Sequence, residues 1–195
     1  MMVVNDPAVL AIGDSLVAGY GLACEDGLPA QLQRRLQERW PGAQVIGAGV
    51  SGDTSGDVQR RLPRLLSGLM QRPALALVQV GPNDVLRGVA PAQVHANLAA
   101  IVRELKACGM PVLMTWVEPP AMLRARAAPY QAIHGEVARE HGAALCDFFP
   151  AGVLGHPDMV LHDRVHPNAR AIALVADHLL PHVEAALTRP RADAA

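Results

Sequence analysis

The chain has little of what marks specialised surfaces. Aromatic residues make up 3% of its 195 positions, so a site that stacks on sugar rings has few candidates beyond Trp40 and Trp116. An excess of one charge is missing too. The 17 Lys and Arg face 18 Asp and Glu, a formal net charge of -1, which leaves no footprint for nucleic acid or an anionic membrane. Cysteine is scarce and odd in number: Cys24, Cys108 and Cys146 lack paired spacing, which argues against a disulfide framework or a thiolate zinc site. They are expected to be reduced, mostly buried thiols. No apolar run reaches the ~18 residues of a membrane helix, because Gly, Pro or charge interrupts each one. The start, Met1 to Pro7, carries neither a basic nor a long hydrophobic segment, so it does not read as a secretory signal. The expected location is cytoplasmic as written, or periplasmic or secreted if an export signal has been removed. The Arg189 to Ala195 tail reads as a frayed end.

What is present is an alternation. Five short apolar runs recur: Ala8 to Ile12, Gln44 to Ala48, Leu75 to Val80, Val112 to Trp116 and Ala143 to Cys146. They are near-continuous, as expected for strands of a parallel sheet covered on both faces. Helical spacing fills the gaps. Leu32 and Leu36 lie within Leu28 to Arg39; Val94, Leu98, Ile101 and Leu105 follow Pro91; Tyr130, Ile133 and Val137 follow Pro129. The last segment, Asn168 to Leu187, aligns Ile172, Val175, Ala176, Leu179, Leu180 and Val183, although Pro181 should kink or restart it. Such alternation predicts an α/β fold: a three-layer α/β/α sandwich on a five-stranded parallel sheet, with the flavodoxin-like order 2-1-3-4-5. No repeat or linker divides it, so residues 1–195 read as one domain with its core over about 8–187. A chain of this length buries roughly 70% of the surface its unfolded form exposes and needs no staple.

Four loops beside these strands carry polar residues that core packing does not require. Gly13-Asp14-Ser15-Leu16 places a serine at the carboxyl end of the first strand, where open α/β sheets bind ligands; it also reads as an ordinary βα turn. Gly49 to Asp57 offers glycines that let backbone N–H groups meet negative charge, and equally good helix caps in Thr54 and Ser55; within those bounds neither GxGxxG nor GxxxxGK[ST] occurs. Gly81-Pro82-Asn83-Asp84 supplies an Asn fit for a turn or for donating to an oxyanion. In His162-Asp163-Arg164-Val165-His166-Pro167, Asp163 and His166 are close enough for the carboxylate to orient the imidazole. His156, His162, Asp163 and His166 also invite a metal reading, against which stand the lack of HExxH and of a joining thiolate. His95, His134, His141, His178 and His182 fall on predicted helices and read as surface histidines.

Taken together, the four blocks resemble those of the SGNH, or GDSL-type, hydrolases, in order and in spacing. The likeness is closest to the bacterial branch of arylesterases, acyl-CoA thioesterases and lysophospholipases, carried by Ile12 to Tyr20, Val50 to Leu66, Val80 to Gly88, Val117 to Pro120 and Val165 to Asn168. It implies Ser15 as nucleophile, His166 as base and then acid, Asp163 as its orienting partner, and an oxyanion hole of Ser15 N–H, Gly52 N–H and the Asn83 amide. It implies no cofactor and no metal, and a small-molecule acyl ester or thioester as substrate; Leu86, Val117, Pro119 and Pro120 are this reading's expected apolar rim. Asp14 and Asp84 would brace loops. Pro82 departs from the glycine often found there, which stiffens the loop holding Asn83 and bears on the substrate loop Val85 to Gly88. An ordinary α/β-hydrolase fits less well: Val17 replaces the second Gly of GxSxG, and Asp163 is too near His166. A carbohydrate O-deacetylase of the same fold and a non-catalytic flavodoxin-like binding module are the alternatives.

Overall fold

The structure, a computed structural model, describes residues 6–188; residues 1–5 and the tail from Arg189 lie outside them. Five strands, β1 (Ala8–Gly13), β2 (Gln44–Gly49), β3 (Leu75–Gln79), β4 (Val112–Trp116) and β5 (Ala144–Asp147), form one sheet in the order β2-β1-β3-β4-β5, every neighbouring pair parallel. The expected order is therefore the observed one. β1 and β3 are buried at every position, whereas the edge strands β2 and β5 keep partial exposure.

Eight helices connect and cover the strands: α1 (Ser15–Ala18), α2 (Leu28–Arg39), α3 (Ser55–Ser67), α4 (Pro82–Arg87), α5 (Pro91–Ala107), α6 (Arg124–Ala127), α7 (Ile133–His141) and α8 (Ala169–Thr188). Alternation along β1 divides the core into two layers. Leu10 and Ile12 join Val58 and Leu62 of α3, Leu98 and Ile101 of α5, and Val137 of α7 on one face. Val9 and Ala11 join Leu32 and Leu36 of α2 and Val175 and Leu179 of α8 on the other. α8 runs on through Pro181, neither ended nor restarted by it; burial of its Ile172, Val175, Ala176, Leu179 and Val183 stripe outweighs the one missing N–H. Pro91 opens α5 as expected, but Pro129 and Tyr130 belong to a separate 3₁₀ turn before α7.

Two expectations about side chains need correction. Cys24 and Cys108 are exposed, one in a 3₁₀ turn and one capping α5, positions that face solvent whatever the residue. Only Cys146 is buried, and burial pushes its thiol up to about 12. His134 is not at the surface: it is buried on the α7 face it shares with Val137 and Ala138, at i+3 and i+4. No helix among the described residues is long and apolar enough to cross a membrane.

Candidate active site

The chain passes from β1 to the edge strand β2 and then back to β3 on the opposite side of β1. At that reversal the carboxyl ends of β1 and β3 frame a crevice. Ser15 opens α1 directly after β1, partly exposed, while Asp14 caps the helix by accepting the Leu16 N–H at Oδ1, 3.0 Å. The backbone must be glycine at the end of β1: a Cβ on Gly13 would sit 2.1 Å from the Gln79 carbonyl oxygen. Gly52 follows β2 with φ +88°, a left-handed value that suits glycine, and Thr54 then starts α3 through a capping box with Asp57. Asn83 lies in the first turn of α4, behind Pro82. Val85 to Gly88, expected as a loop, is the end of that helix and its left-handed cap, Gly88.

The fourth block arrives from the far end of the chain as a pinned turn. Val160 and Pro167 bridge antiparallel, Leu161 N–H donates to His166 C=O at 2.8 Å, and Arg164 holds φ +58° at its tip. Within it, Asp163 Oδ1 accepts the N–H groups of Val165 (2.9 Å) and His166 (3.0 Å), and Oδ2 lies 2.7 Å from His166 Nδ1. These bonds, the backbone ones foremost, lower the Asp163 carboxyl to about 2. A carboxylate only accepts, so Nδ1 carries the proton and Nε2 is left bare. Ser15 Oγ lies 3.1 Å from that Nε2 and donates to it. The structure thus joins Ser15, His166 and Asp163 in one hydrogen-bonded line, and Tyr20 stacks on the imidazole with ring centroids 4.3 Å apart.

Around this line the loops are braced by Asp14 and Asp84, as expected, and by three arginines the sequence did not single out. Asn83 Nδ2 donates one N–H to the Asp53 carbonyl at 3.0 Å, leaving its second amide hydrogen unassigned. Asp84, fully buried, accepts from the Ser55 N–H (2.8 Å) and hydroxyl (2.7 Å), tying α4 to the start of α3; burial raises its carboxyl. Arg87 donates to the Gly52 carbonyl at 2.7 Å, and Arg126 caps the end of α4 through the carbonyls of Val85 and Leu86. Arg61 donates to the Asp53 carboxylate and to two strand-end carbonyls. Next to Ser15, burial pushes the Asp14 carboxyl up to about 6, against the opposing pull of the Leu16 N–H at its Oδ1. His134 Nε2 donates to the Val80 carbonyl at 2.9 Å behind Gly81, and burial lowers its pKa. Arginines on helices carry no sequence signature for such roles, since their acceptors are main-chain carbonyls.

Among the described residues no three His, Cys, Asp or Glu side chains are grouped to hold a metal ion. His156 instead caps a 3₁₀ turn through Nδ1, and His162 is exposed. Trp40 is buried at the end of α2 and offers no free ring face; Trp116 packs against His134.

A serine on the carboxyl edge of a five-stranded parallel sheet, in line with a histidine and an aspartate from one late turn, is an arrangement suited to attack on an acyl carbonyl. Residues 11–174 match the GDSL-like lipase/acylhydrolase family, and the chain belongs to it. It is 36% identical to the esterase TesA of Pseudomonas aeruginosa over 174 residues, covering 89% of this chain and 86% of that one. It is 33% identical to thioesterase 1/protease 1/lysophospholipase L1 of Escherichia coli, covering 90% and 83%. Its fold superposes with a TM-score of 0.85 on the psychrotrophic esterase EstA from Pseudoalteromonas, inhibited by monoethylphosphonate, at 29% identity and over 94% of this chain and 100% of that one.

Proposed function

We propose that the protein is a serine esterase and thioesterase acting on acyl chains, with Ser15 as nucleophile, His166 as general base and then acid, and Asp163 as its orienting partner. The observation that carries this reading is the Ser15–His166–Asp163 line at 3.1 and 2.7 Å. Ser15 Oγ attacks the acyl carbonyl as its proton passes to His166 Nε2. The C–O or C–S bond then breaks, and the leaving alcohol or thiol takes that proton. Water, deprotonated by the same imidazole, releases the acid from Ser15 and restores the hydroxyl. The N–H groups of Ser15 and Gly52 and the free amide hydrogen of Asn83 receive the tetrahedral oxyanion.

The acyl preference rests on apolar side chains left in water: Tyr20, Val50, Leu86 and Val165 are exposed on the segments that follow β1, β2 and β3 and on the turn that carries His166. Thioester cleavage is supported by the name of the Escherichia coli relative. Residues 8–187 act together as one hydrolase domain in this reading. The test is a fluorophosphonate label located by peptide mass spectrometry, with p-nitrophenyl esters and acyl-CoA of increasing chain length as substrates. An adduct on Ser15, loss of both hydrolyses in Ser15→Ala, and a rise in kcat/KM with chain length are expected. A Ser15→Ala variant that hydrolyses at the parent rate would refute the mechanism.

A further inference from the structure

Arg61 lies two turns into α3, on the helix that leaves the Gly52 loop, and its side chain is only 25% exposed. Its guanidinium meets three acceptors at once. Nε donates to Asp53 Oδ2 at 2.6 Å, while Nη2 donates to the carbonyls of Ala48 at 2.9 Å and Gly13 at 3.1 Å. Those acceptors belong to different parts of the site. The Gly13 carbonyl ends β1 two residues before Ser15, the Ala48 carbonyl is near the end of β2 ahead of Gly52, and Asp53 follows Gly52 directly. Asp53 in turn holds Asn83, whose Nδ2 donates to its carbonyl at 3.0 Å. One planar cation therefore ties the segments that present Ser15, Gly52 and Asn83.

The Gly13 carbonyl already accepts the Val50 N–H at 2.9 Å, so the guanidinium is a second donor at the point where β1 and β2 end and fixes both strand ends against one charge. An ammonium would neutralise the Asp53 carboxylate, but it is a compact charge without the rigid fork that spans carboxylate and carbonyls together. A helix arginine with a solvated head would need none of this geometry.

We propose that Arg61 is a positioning residue for the oxyanion hole: by joining the Gly13 and Ala48 carbonyls to the Asp53 carboxylate it sets where the Ser15, Gly52 and Asn83 donors point. This rests on the reading of those donors given above. It assigns Arg61 to the transition state and not to substrate binding, because the donors meet charge only after attack.

The test is a four-way comparison of the full chain with Arg61→Lys, Asn83→Ala and the double variant, reading kcat, KM and melting temperature on p-nitrophenyl butyrate. Asn83→Ala should lower kcat by about 10²–10³. Arg61→Lys should lower kcat about tenfold or more with KM within about twofold, since misplacement by ~1 Å costs on the order of 10². In the Asn83→Ala background the same change should cost at least about threefold less, because part of its effect passes through Asn83. Equal factors in both backgrounds, a change in KM alone, or parent-like kcat in Arg61→Lys would overturn the proposal while leaving the donor assignment standing. Parent-like kcat in Asn83→Ala would instead remove Asn83 from the hole and the proposal with it. If Arg61→Lys does not fold, Asp53→Asn keeps the carbonyl that holds Asn83, breaks the ion pair, and should show the same sub-additive loss; full additivity there overturns the proposal as well.

Discussion

Replacing Gly13 by alanine tests how tightly the reactive end of the sheet is built. The added Cβ would fall 2.1 Å from the Gln79 carbonyl oxygen and 2.7 Å from Val17 Cγ2, whereas ordinary contact begins near 3.4 Å. The shortfall against the carbonyl is 3.4 − 2.1 = 1.3 Å, and the obstacle is the main chain of β3, paired with Gly13 in the sheet. A side chain could swing away; a central strand cannot. Overpacking of this kind costs about 1–3 kcal/mol. At roughly 2–4 °C per kcal/mol for a chain of this size, the upper end corresponds to a fall of about 6–12 °C in melting temperature. Ser15 is two residues away, and a displacement of ~1 Å there is expected to lower kcat on the order of 10². Circular dichroism melting and p-nitrophenyl butyrate kinetics measure the two effects. Gly135→Ala is the control, because a Cβ at that α7 position meets nothing within 4 Å; it should stabilise by about 0.5–1 kcal/mol and leave kcat alone. A Gly13→Ala variant melting within about 2 °C of the parent, with kcat unchanged, would refute the close-approach argument.

Asp163→Asn should lower kcat by about 10²–10⁴ with little change in KM, because an amide in place of the carboxylate no longer fixes the proton on His166 Nδ1; retention of parent kcat would show that the backbone alone orients the ring. Asp14→Asn keeps the acceptor for the Leu16 N–H and removes a buried charge. The folded Asp14 titrates near 6 against an ordinary 3.8, so its ionisation weakens the fold as pH rises between those values, by roughly 3 kcal/mol at most, and the penalty is constant above them. The melting temperature of the variant relative to the parent should therefore climb from pH 4 to pH 6 and level off; a difference independent of pH would contradict the assignment.

Strand positions were legible because central parallel strands are continuous apolar runs, and β4 has the bounds read from sequence. β5 is displaced by one residue: Ala143 packs against the core without joining the sheet, and Asp147 pairs at an edge where no apolar signal is needed. The four loops were legible because Ser, Asn, Asp and His beside strand ends are residue types that core packing does not ask for. What escaped was whatever acts through main-chain partners. Arg61, Arg87 and Arg126 look like solvated helix charges, since the carbonyls they hold are present at every residue of any chain. His134 escaped for a different reason, although its spacing to Val137 and Ala138 placed it on the buried stripe of α7. Tyr20 lay inside the matched block, but nothing in a linear order announces a stack on a ring that follows it by 146 residues, from 166 − 20.

The turn that presents Asp163 and His166 shares no ladder with the sheet. Its backbone pinning bonds run between Met159 and Asn168, within itself, while the His166 imidazole reaches out to Ser15 Oγ and the Tyr20 ring. It can therefore come loose as a small unit at a lower free energy than the five strands, which open only with the core. Warming is expected to uncouple His166 from Ser15 while the strands remain paired, and cooling to restore the contact. On that expectation, heat inactivation follows a clasp of about ten residues, and the thermal endurance of the sheet behind it is a separate quantity.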